Sequence, residues 1–130
     1  MPKEFFRSDR VADSIQRSLA YLIQQEVDDP RLGIVNINSV SVARDLSTAK
    51  VYVTVVGAKS DHEHENAVDL LNKASSFLRN QIAKDLSLRS TPRLQFHYDK
   101  VAVQGQNLSA LIDRAVAGEY LHHATDEDNN

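Results

Sequence analysis

Cysteine is absent from the chain, which excludes a disulfide framework and thiolate metal sites and fits a reducing compartment. Glycine is scarce. Its four positions, 33, 57, 105 and 118, are too scattered to form a phosphate-cradling loop. No run approaches the ~20 apolar residues of a membrane-spanning helix, and residues 1–7 lack the apolar stretch of a secretory leader. The expected location is the cytoplasm. Tryptophan is missing, and rings free to stack on a base are few: Tyr52 is one candidate, Phe5 and Phe6 are others.

What remains is an ordinary soluble composition, 42% hydrophobic and 25% charged. A length of 130 residues suits one domain burying roughly two-thirds of its unfolded surface. The net charge of −3 argues against a polyanionic partner until its distribution is considered. Glu119, Asp126, Glu127 and Asp128 concentrate acid at the C-terminus, and without these four, 15 bases face 14 acids. Between residues 73 and 100, Lys73, Arg79, Lys84, Arg89, Arg93 and Lys100 stand against only Asp85 and Asp99. Local field matters more than total charge for docking a polyanion. The plainer reading is a solvated face.

Hydrophobic spacing orders the chain. Val11, Ile15, Leu19, Leu22, Ile23 and Val27 predict a helix over residues 9–28, with Ser8 as cap and Pro30 as terminator. Val51, Val53 and Val55 alternate with polar residues and predict a strand. In the preceding run, Val35 and Ile37 share one parity while Val40 and Val42 share the other, which predicts a bulge near Asn38-Ser39. A polar segment over residues 57–65 precedes a helix from about Glu65 to Leu86, with the stripe Val68, Leu71, Ala74, Phe77, Leu78 and Ile82. The serines of Ala74-Ser75-Ser76 invite a kink in it. A strand follows with Leu94, Phe96 and Tyr98 inward, then a last helix over residues 107–121. Three strands and amphipathic helices imply an α+β two-layer sandwich. The organisation expected is one domain over residues 1–121 and a disordered acidic tail over residues 122–130.

"DPRLG" (29–33), "ARDLSTAKVYVTV" (43–55) and "LRSTPRLQFHYD" (88–99) occur here in one order and spacing. Together they resemble the ribosome-binding factor A family. The resemblance implies a type II KH-like fold, helix-strand-strand-helix-kink-helix-strand, with a three-stranded sheet, helices on one face and an extra C-terminal helix. It also implies a monomer without cofactor that binds free 30S subunits, not mature ribosomes. Its target would be 16S rRNA, including the 5′-terminal helix region, and its role late maturation without catalysis. The kink, which in the family stands in place of a Gly-x-x-Gly loop, falls on Ala74, Ser75 and Ser76.

Phosphates carry most RNA affinity, and arginine suits them through its rigid fork of donors. The candidate RNA-binding residues are Arg7, Arg10, Arg31, Arg44, Lys50, Lys73, Ser76, Arg79, Lys84 and Arg89. Of these, Lys73, Ser76 and Lys84 share a helical side with Asn80. Arg31 has a structural alternative, bonding carbonyls at the end of the first helix. Enzymatic patterns are weak. "HEHE" (62–65) lacks the i,i+4 histidine pair of a metalloprotease, the serines lack a nucleophile elbow, and Asp45 with His97 is the only acid–base candidate. A protein–protein adaptor of the same fold is the competing class.

Overall fold

The first helix forms where apolar spacing put it. In the computed structural model, which describes residues 7–27 and 29–129 (only the backbone of residues 106 and 118–129), α1 spans Arg7–Glu26. It buries Val11, Ile15, Leu19, Leu22 and Ile23 on one side. Each such side chain contributes about 1.5–3 kcal/mol, well above the few tenths separating most helix propensities. Ser8 does not cap the helix: it lies within the first turn and is buried.

The parity change in the first strand becomes a register shift. β1 (Val35–Val42) pairs antiparallel with β2 (Thr48–Val55). Ile37 stands opposite Val53 and Ser39 opposite Tyr52, so Asn38 is the extra residue. Bulging it out returns Val40 and Val42 to the face that holds Val35 and Ile37, and all four pack against the core. The Asn38 side chain donates to Asp99 Oδ2 at 3.0 Å and accepts from Asn36 Nδ2 at 3.0 Å. Residues 43–47 close the hairpin, with Asp45 Oδ1 accepting from the Ser47 amide at 3.1 Å and its hydroxyl at 2.7 Å. Asp45 is therefore a turn residue.

β3 (Arg93–Tyr98) runs parallel to β2, which lies at the centre of the sheet order β1-β2-β3. Parallel neighbours need a crossover, and two helices supply it, α2 (Asp61–Lys73) and α3 (Ser75–Leu86). α2 begins four residues before the expected Glu65, because Ser60 Oγ accepts from the Glu63 amide and Glu63 Oε2 from the Lys59 amide. The helices cover one sheet face. Ala49, Val51, Val53, Leu94 and Phe96 meet Leu71, Leu78 and Ile82 there. Phe77, expected in that core, is 43% exposed. At the sheet's two edges, Gln16 Nε2 donates to Ile37 O at 3.3 Å, and the Asn72 amide bonds both Phe96 N and Phe96 O, at 2.9 and 3.1 Å.

The element order is the one the resemblance implied. Residues up to Asp99 form one compact unit and those from Lys100 another. The second consists of α4 (Lys100–Asn129), which starts seven residues before the expected helix. All but the last residue of the expected acidic tail fall within its bounds; Asn130 and residues 1–6 lie outside the described residues. The apolar side read for it, including Leu108, Leu111, Ile112 and Val116, is exposed. Among the described residues no helix is long and apolar enough to cross a membrane.

Candidate nucleic-acid interface

The kink is a break at a single residue. Ala74 has φ −89° and ψ 2°, and its amide donates to both Leu70 O and Leu71 O, at 3.1 Å each. Ser75 and Ser76, expected to share the kink, are already helical in α3. No residue of the break has positive φ, so the bend is open to any L-residue and needs no glycine. Two ties position it. Asn72, just before the break, grips β3 through Phe96, and Arg79, one turn after it, donates from Nε and Nη2 to Thr91 O at 3.0 and 2.8 Å.

Between break and sheet lies a cleft of about 150 Å³ lined by Ser75, Ser76, Arg79, Arg93, Leu94 and Gln95. Among the described residues no carboxylate lines it. Ala74 gives α3 no side-chain cap, so the first-turn N–H groups keep their partial positive charge beside two guanidinium groups. This arrangement suits an anion. Arg79 is nonetheless not the free cation that its sequence position suggested, since it holds the loop before β3. Arg93 and Ser76 are exposed.

The other candidates are dispersed. Arg7 and Arg10 line a cleft of about 610 Å³ with Val11, Ser14, Leu86 and Leu88; exposed Lys84 and Arg89 flank Leu86 and Leu88 along the chain. Arg31 and Lys73 border a third cleft with Asp69. Arg31 bonds no helix carbonyl; its Nε and Nη2 clasp the two carboxylate oxygens of Asp29 at 3.0 and 2.8 Å. That clasp holds the Asp29 pKa down at about 2. Arg44 is exposed in the hairpin turn, and Lys50 is exposed on the sheet face opposite the helices. The row Lys73, Ser76, Lys84 is interrupted by the break. Phe5 and Phe6 lie outside the described residues.

The acid–base candidates do not meet as a site. His97 stacks on Tyr52 with centroids 5.6 Å apart, while Asp45 is occupied in its turn. His64 of "HEHE" is buried; its Nδ1 accepts from the Val55 amide at 3.0 Å and its ring stacks on Tyr98 at 4.4 Å. Burial, then a hydrogen bond to Asp61, pushes the Tyr98 hydroxyl up to about 12. These groups fasten α2 to the sheet. Among the described residues no group of three His, Cys, Asp or Glu could hold a metal. Asn72 and Thr91 escaped the sequence reading, since an exposed helix asparagine and a loop carbonyl carry no periodic signal.

Comparison with known proteins gives a consistent result. A family model described as Ribosome-binding factor A matches residues 7–112. A Saccharophagus degradans protein of that name is 73% identical over 119 residues, covering 92% of this chain and 93% of the relative. A Thermotoga maritima protein solved by NMR superposes with a TM-score of 0.67 at 33% identity, over 77% of this chain and 93% of that one. Coordinates of a homology model of Thermus thermophilus ribosome-binding factor A, fitted into a cryo-EM map of its complex with the 30S subunit, superpose with a TM-score of 0.55. Their identity is 30%, over 66% of this chain and 88% of that one.

Proposed function

This chain belongs to the ribosome-binding factor A family, and on that premise we propose that it binds free 30S subunits through 16S rRNA and assists their maturation in the cytoplasm, as a monomer without cofactor or catalytic step. The observation that carries the reading is the acid-free cleft at the helix break, where Arg79 and Arg93 flank the uncapped start of α3. An RNA backbone entering that cleft would meet two guanidinium groups and a helix N-terminus at once. A related factor fitted on a 30S particle supports the choice of target.

The mechanism is occupancy. A factor that binds immature rRNA more tightly than the finished fold pulls the equilibrium toward the state it prefers, and only by that difference in affinity. Sedimentation of the protein with immature and mature 30S particles at equal salt tests this; tighter binding to the immature particle is the expected result. Arg93→Glu should weaken binding at least about tenfold and reduce the salt slope by roughly one or more, because each phosphate contact releases about one counterion. A salt-independent association untouched by Arg93→Glu would assign the chain to the adaptor class instead. Arg79 is a poor probe for this purpose, since its loss also frees the Thr91 loop.

A further inference from the structure

Within the unit that ends at Asp99, the helices cover one face of the sheet. On the other, cross-strand neighbours form rows: Ser41, Lys50 and Gln95 in one, Ser39, Tyr52 and His97 in the next. Successive rows are about 6.7 Å apart. Lys50, Gln95, Ser39 and Ser41 are exposed, and Tyr52 and His97 are half-buried against each other, their planes 29° apart. His97 Nε2 is buried and has no hydrogen-bond partner among the described residues, and packing on Tyr52 orients this ring.

We infer that this face is a stacking platform for single-stranded RNA, resting on the RNA-binding reading above. Three observations select that occupant. The outward residues within the strands include the cations Lys50 and Arg93, while the carboxylate of Asp99, just past the far end of β3, accepts from Asn38 Nδ2, so the end of the face that holds Lys50 and Arg93 is complementary to phosphate. It carries no aliphatic side chain for the apolar core of a protein partner to meet. Its rings stack with planes 29° from parallel, and an unpaired base offers its flat face to such an aromatic pair. The platform is also continuous with the cleft at the break, because Arg93 and Gln95 belong to both. A strand whose backbone lies in the cleft can pass round β3 and lay bases toward His97 and Tyr52. Cross-strand stabilisation alone would account for the ring pair, but not for the neighbouring cations.

The test uses the full chain and a fluorescein-labelled oligouridylate of about ten nucleotides, read by anisotropy. Tyr52→Phe should bind as the unchanged protein does, and Tyr52→Leu about five- to a hundredfold more weakly, the range expected for one stacked base. Equal binding by Tyr52→Leu, or equally good competition by a duplex of the same length, overturns the platform. Should Tyr52→Leu lose its fold by circular dichroism, photo-crosslinking of 4-thiouridine RNA to the unchanged protein decides. Crosslinks within residues 50–54 or 95–98 support the platform, and crosslinks confined elsewhere overturn it. Arg93→Glu separates the two readings: if it still weakens 30S sedimentation while Tyr52→Leu binds oligonucleotide normally, the rRNA reading stands without the platform. If neither change has any effect, both fall.

Discussion

Asp29 and Arg31 stand two residues apart across Pro30 and clasp each other through both carboxylate oxygens. Arg31's charge is thereby compensated within its own turn, so Arg31→Ala should weaken subunit binding less than Arg93→Ala in parallel sedimentation assays. The clasp also has a pH signature. Asp29's folded-state pKa of about 2 lies below its ordinary 3.8, so the pair's stabilisation is complete above that ordinary value and is lost as pH falls toward 2. Carbon-detected NMR titration should find the Asp29 midpoint near 2, moving toward 3.8 in Arg31→Gln. Asn72 acts at the same scale by different means. Its amide serves both the donor and the acceptor of Phe96, so Asn72→Ala should cost about 1–3 kcal/mol in urea unfolding. A change below about 0.5 kcal/mol would mean that water replaces the amide without loss.

At the scale of elements, parity and spacing carried far. The change of parity between Ile37 and Val40 cannot be honoured by a uniform strand, so the bulge at Asn38 was readable before any coordinates, in the residues Val35, Ile37, Val40 and Val42 themselves. Deleting Asn38 should leave Val35, Ile37, Val40 and Val42 in one uniform alternation on the core face, so the loss should be confined to the hydrogen bonds of the Asn38 side chain, about 1–3 kcal/mol. Urea denaturation should show a cooperative transition at a moderately lower midpoint; loss of the transition would mean that the bulge itself is needed for folding. The start of α2 was also written in the chain, as Ser60 followed three residues later by Glu63, but the polar run around it hides the signal. The bend itself is different. Serine at 75 and 76 suggested its place, whereas its position at Ala74 depends on Asn72 reaching β3 and Arg79 reaching Thr91. Those are contacts across 24 and 12 residues, invisible to any local pattern. For the same reason Arg79 and Arg93 looked alike in sequence; both are exposed, but Arg79 is anchored on Thr91 O.

At the scale of the whole molecule, every described core residue lies between Val11 and Phe96. A chain ending at Asp99 should therefore fold, with a thermal midpoint within about 5 °C of the full chain's; a collapse of the transition would show that α4 contributes to the core. Composition pointed toward a single domain reaching residue 121, because the apolar stripe of the last helix reads like any buried face, and periodicity does not say what a stripe packs against. The candidate interface was legible as a basic stretch but not as a cleft. The distribution of its cations over two sheet faces and three clefts depends on topology. One last property follows from the sheet's rims. Gln16 occupies a main-chain acceptor along β1, and Asn72 occupies a donor and an acceptor along β3. A stray strand seeking to add itself at either side finds those groups taken, which guards a small sheet against polymerising with its own copies at high concentration.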